Sequence, residues 1–172
     1  DKPNLMLIGF GPHAKRIYYS ICKQEEEKLG VKIVYGVDLP EKKEDIEEFL
    51  VKREESLPMY YVTSLGDDRN LSSETENNLN EIIAKYKVQG VIISTEPSAH
   101  VCYAAWALKK GLSILMDKPI STVKDASTSE KSASKIIEDF NYLKNLYSKA
   151  KSKDKDLLFS LMAQRRFQPA FH

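Results

Sequence analysis

Asn4-Leu5-Met6-Leu7-Ile8-Gly9-Phe10-Gly11-Pro12-His13-Ala14 joins a short apolar run to a glycine turn and then to a helical pattern. The run suits a strand buried on both faces. The turn matches G-x-G-x-x-A between a strand and a helix, and each small residue has a physical reason. Gly9 permits the tight turn, Gly11 lets the backbone approach a pyrophosphate with no Cβ in the way, and Ala14 allows close helix–strand packing. The helix start offers free N–H groups and a positive dipole end to phosphate. Pro12 loses nothing at the first helical position, where its N–H would lack an intrahelical partner. A plain strand-to-helix turn with two glycines has the same pattern, so the motif needs support from the rest of the chain.

Outward from that turn, strands and helices alternate. Pro12 to about Leu29 is predicted helical, with Ala14, Ile17, Tyr18, Ile21 and Cys22 on its apolar face and Gly30 as its stop. Val31 to Val37 is a second strand, and 41–54 a charged helix with the stripe Ile46, Phe49 and Leu50. Met59 to Thr63 is a third strand. The next helix starts near Ser73, where Ser73 to Glu76 has capping-box spacing, and carries Leu79, Ile82, Ile83 and Tyr86. Val88 to Thr95 is the fourth strand, 98–110 an Ala-rich helix closed by Gly111, and Leu112 to Met116 the fifth strand. Ser121 to Ser134, rich in Ser, Thr and Lys, is expected to be a surface loop or frayed helix start, longer than such a connection needs. A long helix follows with Ala133, Ile136, Ile137, Phe140, Leu143, Tyr147 and Ala150 on one face, and 157–163 is a sixth strand. The pattern predicts a doubly wound, mostly parallel α/β sheet of order 3-2-1-4-5-6 with helices on both faces, one domain over 1–172.

The second strand ends Val37-Asp38, an acid where this kind of fold places the carboxylate that accepts the adenosine ribose hydroxyls. The gap from the glycines exceeds the usual ~20 residues because the first helix is long. Leu39 and Pro40 supply no arginine to receive a 2′-phosphate, which favours NAD over NADP. Asp38 as a simple turn residue before Pro40 is the other reading. S-adenosylmethionine enzymes use a similar glycine turn and acid, so these two features leave the cofactor open.

Two further segments are more specific: Val91-Ile-Ile-Ser-Thr-Glu-Pro-Ser-Ala-His100, and Gly111-Leu-Ser-Ile-Leu-Met-Asp-Lys-Pro119. With the glycine turn, Asp38 and the closing Gln164-Arg165-Arg166-Phe167-Gln168-Pro169, they resemble the glucose–fructose oxidoreductase/inositol dehydrogenase (Gfo/Idh/MocA) family over essentially the whole chain. Members carry a Thr-Pro-x-x-x-His-like turn after the fourth strand and Glu-Lys-Pro after the fifth. The resemblance implies that Thr95, Pro97 and His100 line the ribose–nicotinamide side of a cofactor cleft. It also implies that Lys118 works near the substrate hydroxyl and nicotinamide as the catalytic residue, that Pro119 holds its turn (cis in many members), and that Arg165 or Arg166 sits at the cleft edge with Gln164. Such a lysine can stabilise a developing oxyanion or relay its proton. Glu96 stands in the place of a common proline, putting a carboxylate beside the cofactor; Asp117 stands for the usual Glu, and Ala14 for the third glycine. His13 is a first-turn residue, exposed or touching the cofactor, and Tyr103 and Trp106 are expected to pack rather than stack on a ligand.

Composition narrows the classes. Among 172 residues, 42% are hydrophobic and 30% charged, and 26 basic against 25 acidic residues give a net charge of +1. That balance gives no reason to expect nucleic acid or a membrane as partner, and no apolar run reaches the ~18 residues of a membrane span. Asp1 to Phe10 lacks the basic region and cleavage site of a signal peptide and is expected to lead directly into a strand. Cys22 and Cys102 are expected to be reduced core thiols of a cytoplasmic protein, and no metal-ligand cluster, Ser-His-Asp arrangement or P-loop lysine is present.

The resemblance thus implies the cofactor half of an NAD(P)-dependent oxidoreductase passing hydride to or from a sugar, cyclitol or related small molecule. In the family a second α/β domain, expected after residue 172, supplies substrate specificity and the oligomer surface. The full-length enzyme is expected to be a homo-oligomer, and 1–172 alone to be inactive. A non-catalytic, redox-sensing dinucleotide module, for which Glu96 and Asp117 would be the signs, and a methyltransferase are the alternatives.

Overall fold

The computed structural model describes residues 2–122 and 130–162. Six strands form one sheet: β1 (Asn4–Ile8), β2 (Lys32–Asp38), β3 (Met59–Tyr61), β4 (Val88–Ile93), β5 (Ser113–Asp117) and β6 (Phe159–Met162). Their order is β3-β2-β1-β4-β5-β6 and every pairing is parallel. This is the doubly wound Rossmann arrangement expected from the alternation of elements.

The strand period assigns the two faces. On β1, Met6 and Ile8 join the larger core, with Val91 and Ile93 of β4, while Leu7 and Ile92 join the smaller one. The larger core lies under α4 (Ser73–Lys85), α5 (His100–Lys109) and α6 (Glu130–Lys153), and the smaller under the first helix and α3 (Lys43–Lys52). Burying each such aliphatic chain is worth about 1.5–3 kcal/mol, which makes the central strands the firmest part of the scaffold. In α5 every residue from His100 to Leu108 is buried. A helix apolar all round belongs between layers rather than at the surface.

Three local expectations are corrected. The first helix is π-helical over Ala14–Tyr19 and continues through α1 (Ser20–Gln24) and, past a break at Glu25, α2 (Glu26–Leu29). The wider π turn brings Tyr19 inward and leaves Ile21 42% exposed, so the face differs from that expected of an α-helix. The α4 cap is Ser72, not Ser73: the Ser72 hydroxyl accepts from the Thr75 N–H at 3.2 Å. In α6, Ala133, Ile137 and Phe140 are exposed, and Asp139 is buried beside Leu143 and Ala150. Its carboxylate accepts from Arg69 Nε at 3.0 Å and Ser121 Oγ at 2.6 Å, so a paired charge takes a place expected for an apolar side chain. The described part of that helix begins at Glu130, within the 121–134 stretch expected to be a surface loop or frayed helix start, of which residues 123–129 lie outside the described residues. Cys22, half-buried, and Cys102, buried, are both free thiols.

Candidate functional site

The C-terminal ends of β1, β2, β4 and β5 open onto one cleft of about 470 Å³. Open α/β sheets bind ligands at this edge, where the strand order reverses between β1 and β4. The cleft is lined by Gly9 to Ala14 from the glycine turn, Asp38 and Lys42 beyond β2, Ser94, Thr95 and Glu96 beyond β4, Tyr103 of α5 and Asp117 of β5.

The two glycines are needed for different reasons. Gly9 has φ +90°, and a Cβ there would lie 2.4 Å from the Ser94 carbonyl oxygen. Its constraint comes from the fold: Gly9 N–H donates to Val37 O at 2.8 Å, and Ser94 N–H to Ile8 O at 2.7 Å, drawing three strand ends together. A Cβ on Gly11 would meet no protein atom within 4 Å. The fold leaves that space clear beside the start of a helix, which is the cradle a pyrophosphate requires.

Asp38 closes the second side. Its Oδ2 accepts from the Phe10 N–H and its Oδ1 from the Leu39 N–H, both at 2.7 Å. The carboxylate is thereby fixed against the glycine turn, and each oxygen retains a lone pair for a ribose hydroxyl. Lys42, at the end of the 3₁₀ turn Pro40–Lys42, lines the same end of the cleft. The sequence pattern missed it, since nothing in a charged helix start marks one lysine from its neighbours.

Across the cleft, Asp117 accepts from the Tyr18 hydroxyl and, at 2.5 Å, from Ser94 Oγ, with His13 Nε2 at 3.7 Å. Burial, then the Asp117 carboxylate, pushes the Tyr18 phenol well above its ordinary range, so it remains a donor. Tyr18 and Ser94 were not anticipated as site residues; the contact depends on where the π segment sets Tyr18. Burial likewise raises the Tyr103 phenol, which lies at the cleft wall.

His100 is fully buried and sits beneath the two turns. Its Nδ1 is 2.7 Å from Pro119 O and its Nε2 3.1 Å from Thr95 O, so it ties the β4 turn to the β5 turn. Its contact with any cofactor runs through the turns it holds. Pro97 opens the short 3₁₀ turn Pro97–Ala99 leading into α5. Lys118 is exposed immediately past Asp117, and the Lys118–Pro119 peptide is cis. Gln164, Arg165 and Arg166 lie outside the described residues. Among the described residues no group of His, Cys, Asp or Glu is arranged to hold a metal, and no helix is long and apolar enough to cross a membrane.

Comparison with known proteins agrees with this geometry. The model of the oxidoreductase family with the NAD-binding Rossmann fold, Gfo/Idh/MocA, matches residues 8–137. No curated protein matches. Among solved structures, the oxidoreductase YvaA from Bacillus subtilis superposes with a TM-score of 0.65 at 15% identity, over 99% of this chain and 37% of that one. The WlbA dehydrogenase from Bordetella pertussis, in complex with NADH and UDP-GlcNAcA, gives 0.64 at 14% identity, over 99% and 40%. The aldose-aldose oxidoreductase from Caulobacter crescentus, complexed with glycerol, gives 0.60 at 18%, over 99% and 40%. The chain therefore spans about 40% or less of the length of these structures. It belongs to the Gfo/Idh/MocA family of oxidoreductases, and residues 8–137 carry that family's NAD-binding Rossmann fold.

Proposed function

We propose that this chain is the cofactor half of an enzyme that transfers hydride between NAD(H) and a carbinol carbon of a sugar, cyclitol or related small molecule. The observation that carries the reading is the open space at Gly11 beside the fixed Asp38 carboxylate, in a cleft whose far wall holds Asp117. When bound, a nicotinamide supplies the site that gives or takes the hydride. The turn from Gly9 to Ala14 would hold the pyrophosphate, and Asp38 would accept from the adenosine ribose hydroxyls. Thr95 and Glu96 would border the ribose–nicotinamide side, with His100 fixing the turn beneath them. Lys118 would hydrogen-bond the substrate oxygen and hold or pass its proton, a task suited to an ammonium at a strand end. Arg166 is assigned to the cleft edge by the family pattern alone.

Asp38 favours NAD, since its charge opposes a 2′-phosphate, and Lys42 offsets part of that opposition. Substrate contacts, oligomerisation and turnover are assigned to the remainder of a longer, cytoplasmic homo-oligomeric protein. The aldose and UDP-sugar compounds named with the relatives make a sugar the favoured substrate class. Calorimetric titration of this chain with NAD⁺, NADP⁺ and S-adenosylmethionine tests the reading. Binding of NAD⁺ tighter than NADP⁺, with no heat from S-adenosylmethionine, is expected; the reverse order, or methyl-donor binding alone, overturns it.

A further inference from the structure

Tyr103 stands one turn into α5 and is only 3% exposed, with its ring in the larger core and its remaining surface on the wall of the glycine cleft. Among the described residues no group hydrogen-bonds its hydroxyl. Other tyrosines are engaged: Tyr18 donates to Asp117, Tyr60 accepts from Asn78 Nδ2 at 3.0 Å, and Tyr147 donates to Leu157 O at 3.3 Å. The Tyr19 and Tyr61 hydroxyls also lack partners, but both are sealed inside the protein. The Tyr103 hydroxyl is not sealed, and it borders the cleft. A buried phenol ordinarily finds a partner, and one left without it calls for a functional reason.

The surroundings place this hydroxyl at the Asp38 end of the cleft. β3 pairs with β2 so that Asp38 lies opposite Tyr61, and the Val62 N–H donates to Asp38 O at 2.9 Å. The loop that follows brings Leu65 beside Asp38, packed against the same core as Tyr103, and Leu39 joins them on the cleft wall. Beyond the fixed carboxylate the wall is therefore apolar, with one phenolic O–H set in it. Burial, and then the neighbouring Cys102, Asp38 and Tyr60, raise the phenol above its ordinary range, so it stays a neutral donor. A flat ring with apolar faces and acceptor nitrogens at its edge has the matching chemistry.

We propose that Tyr103 is a binding residue for the adenine base. With the ribose hydroxyls on Asp38, the base lies against Leu39 and Leu65, and the Tyr103 O–H donates to one of its ring nitrogens. The inference rests on the dinucleotide reading above. It also carries a stability consequence. A buried donor with no acceptor in the protein adds nothing to the fold, so removing it is neutral or stabilising, while the ligand loses a hydrogen bond.

Tyr103→Phe keeps the ring and removes the oxygen. The test measures Kd for NAD⁺ and ADP-ribose on the full chain and its Tyr103→Phe variant, with chemical denaturation of both proteins in parallel. NAD⁺ and ADP-ribose share the adenosine, so both are expected to weaken by the same factor, roughly five- to tenfold. The denaturation midpoint is expected to hold or rise. A loss for NAD⁺ that is absent for ADP-ribose puts the hydroxyl at the nicotinamide end and overturns the assignment. Unchanged affinity for both overturns the inference and leaves the dinucleotide reading standing. A lower midpoint shows a hydroxyl that serves the fold, and overturns it as well. Failure of both ligands to bind the unaltered chain removes the reading and the inference with it.

Discussion

At the scale of single residues, Gly9 and Gly11 differ although one motif contains both. Gly9→Ala puts a Cβ against the Ser94 carbonyl in a left-handed backbone, and should lower unfolding stability by roughly 1–3 kcal/mol in denaturant titration. Gly11→Ala meets no protein atom; its stability should stay within about 1 kcal/mol, with nucleotide affinity falling roughly tenfold. Equal stability losses in both variants would show that Gly11 serves the fold alone. Lys42 has a subtler part beside Asp38. Lys42→Ala should weaken NADP⁺ binding by roughly two- to fivefold, as for an exposed ion contact, with little effect on NAD⁺. Parallel titrations of the two nucleotides measure this directly.

At the scale of elements, α6 shows how one polar group can reorient a helix. Asp139 faces inward because Arg69 and Ser121 provide donors for both carboxylate oxygens, and Lys135 approaches one turn away at 3.5 Å. Arg69 is further held over the Tyr142 ring at 4.9 Å. The network fastens α6 to the 67–71 loop and to Ser121, two residues beyond the cis proline. Asp139→Ala leaves Arg69 and Ser121 without their acceptor. Because Arg69 is about one-third exposed, water recovers part of the loss, and the expected cost is roughly 1–3 kcal/mol. Chemical denaturation should show the midpoint fall, and amide exchange should quicken first in the N-terminal half of α6. The π segment works in the same way on the opposite face: its wider turn is what sets Tyr18 on Asp117 and Tyr19 into the core.

At the scale of the whole molecule, several large apolar side chains are exposed near β6 among the described residues. Ile137 and Phe140 of α6 and Leu158 and Leu161 around β6 are exposed, and Phe140 and Leu161 border an apolar groove of about 260 Å³. Exposed apolar side chains gathered around a groove promote association. This chain should self-associate reversibly as its concentration rises, and Phe140→Glu should reduce that association. Sedimentation velocity over a concentration series checks it, and a monomer at every concentration would count against an adhesive edge. The groove shares no lining residue with the glycine cleft, so nucleotide affinity should be the same in Phe140→Glu.

The order of the sheet, the glycine turn, Asp38 and the Asp117-Lys118-Pro119 turn were all legible in the sequence. Strand period, glycine spacing and the acid at a strand end depend on neighbours along the chain; the sheet order followed from the crossover rules for alternating strands and helices, and the Asp117-Lys118-Pro119 turn from the family resemblance. What the tertiary structure decided involves partners distant in sequence. His100 could be placed at a helix start from its spacing, but its burial between Thr95 O and Pro119 O depends on β4 and β5 lying side by side. Asp139 broke the apolar pattern of α6 because its donors come from residues 69 and 121. Lys42 and Tyr18 joined the site only through the turn after β2 and the π geometry after β1. The motif could name a cradle for phosphate; only the packing of β1, β4 and β5 could bring His13, Tyr18 and Ser94 onto one carboxylate, because hydrogen bonds and charge act through space.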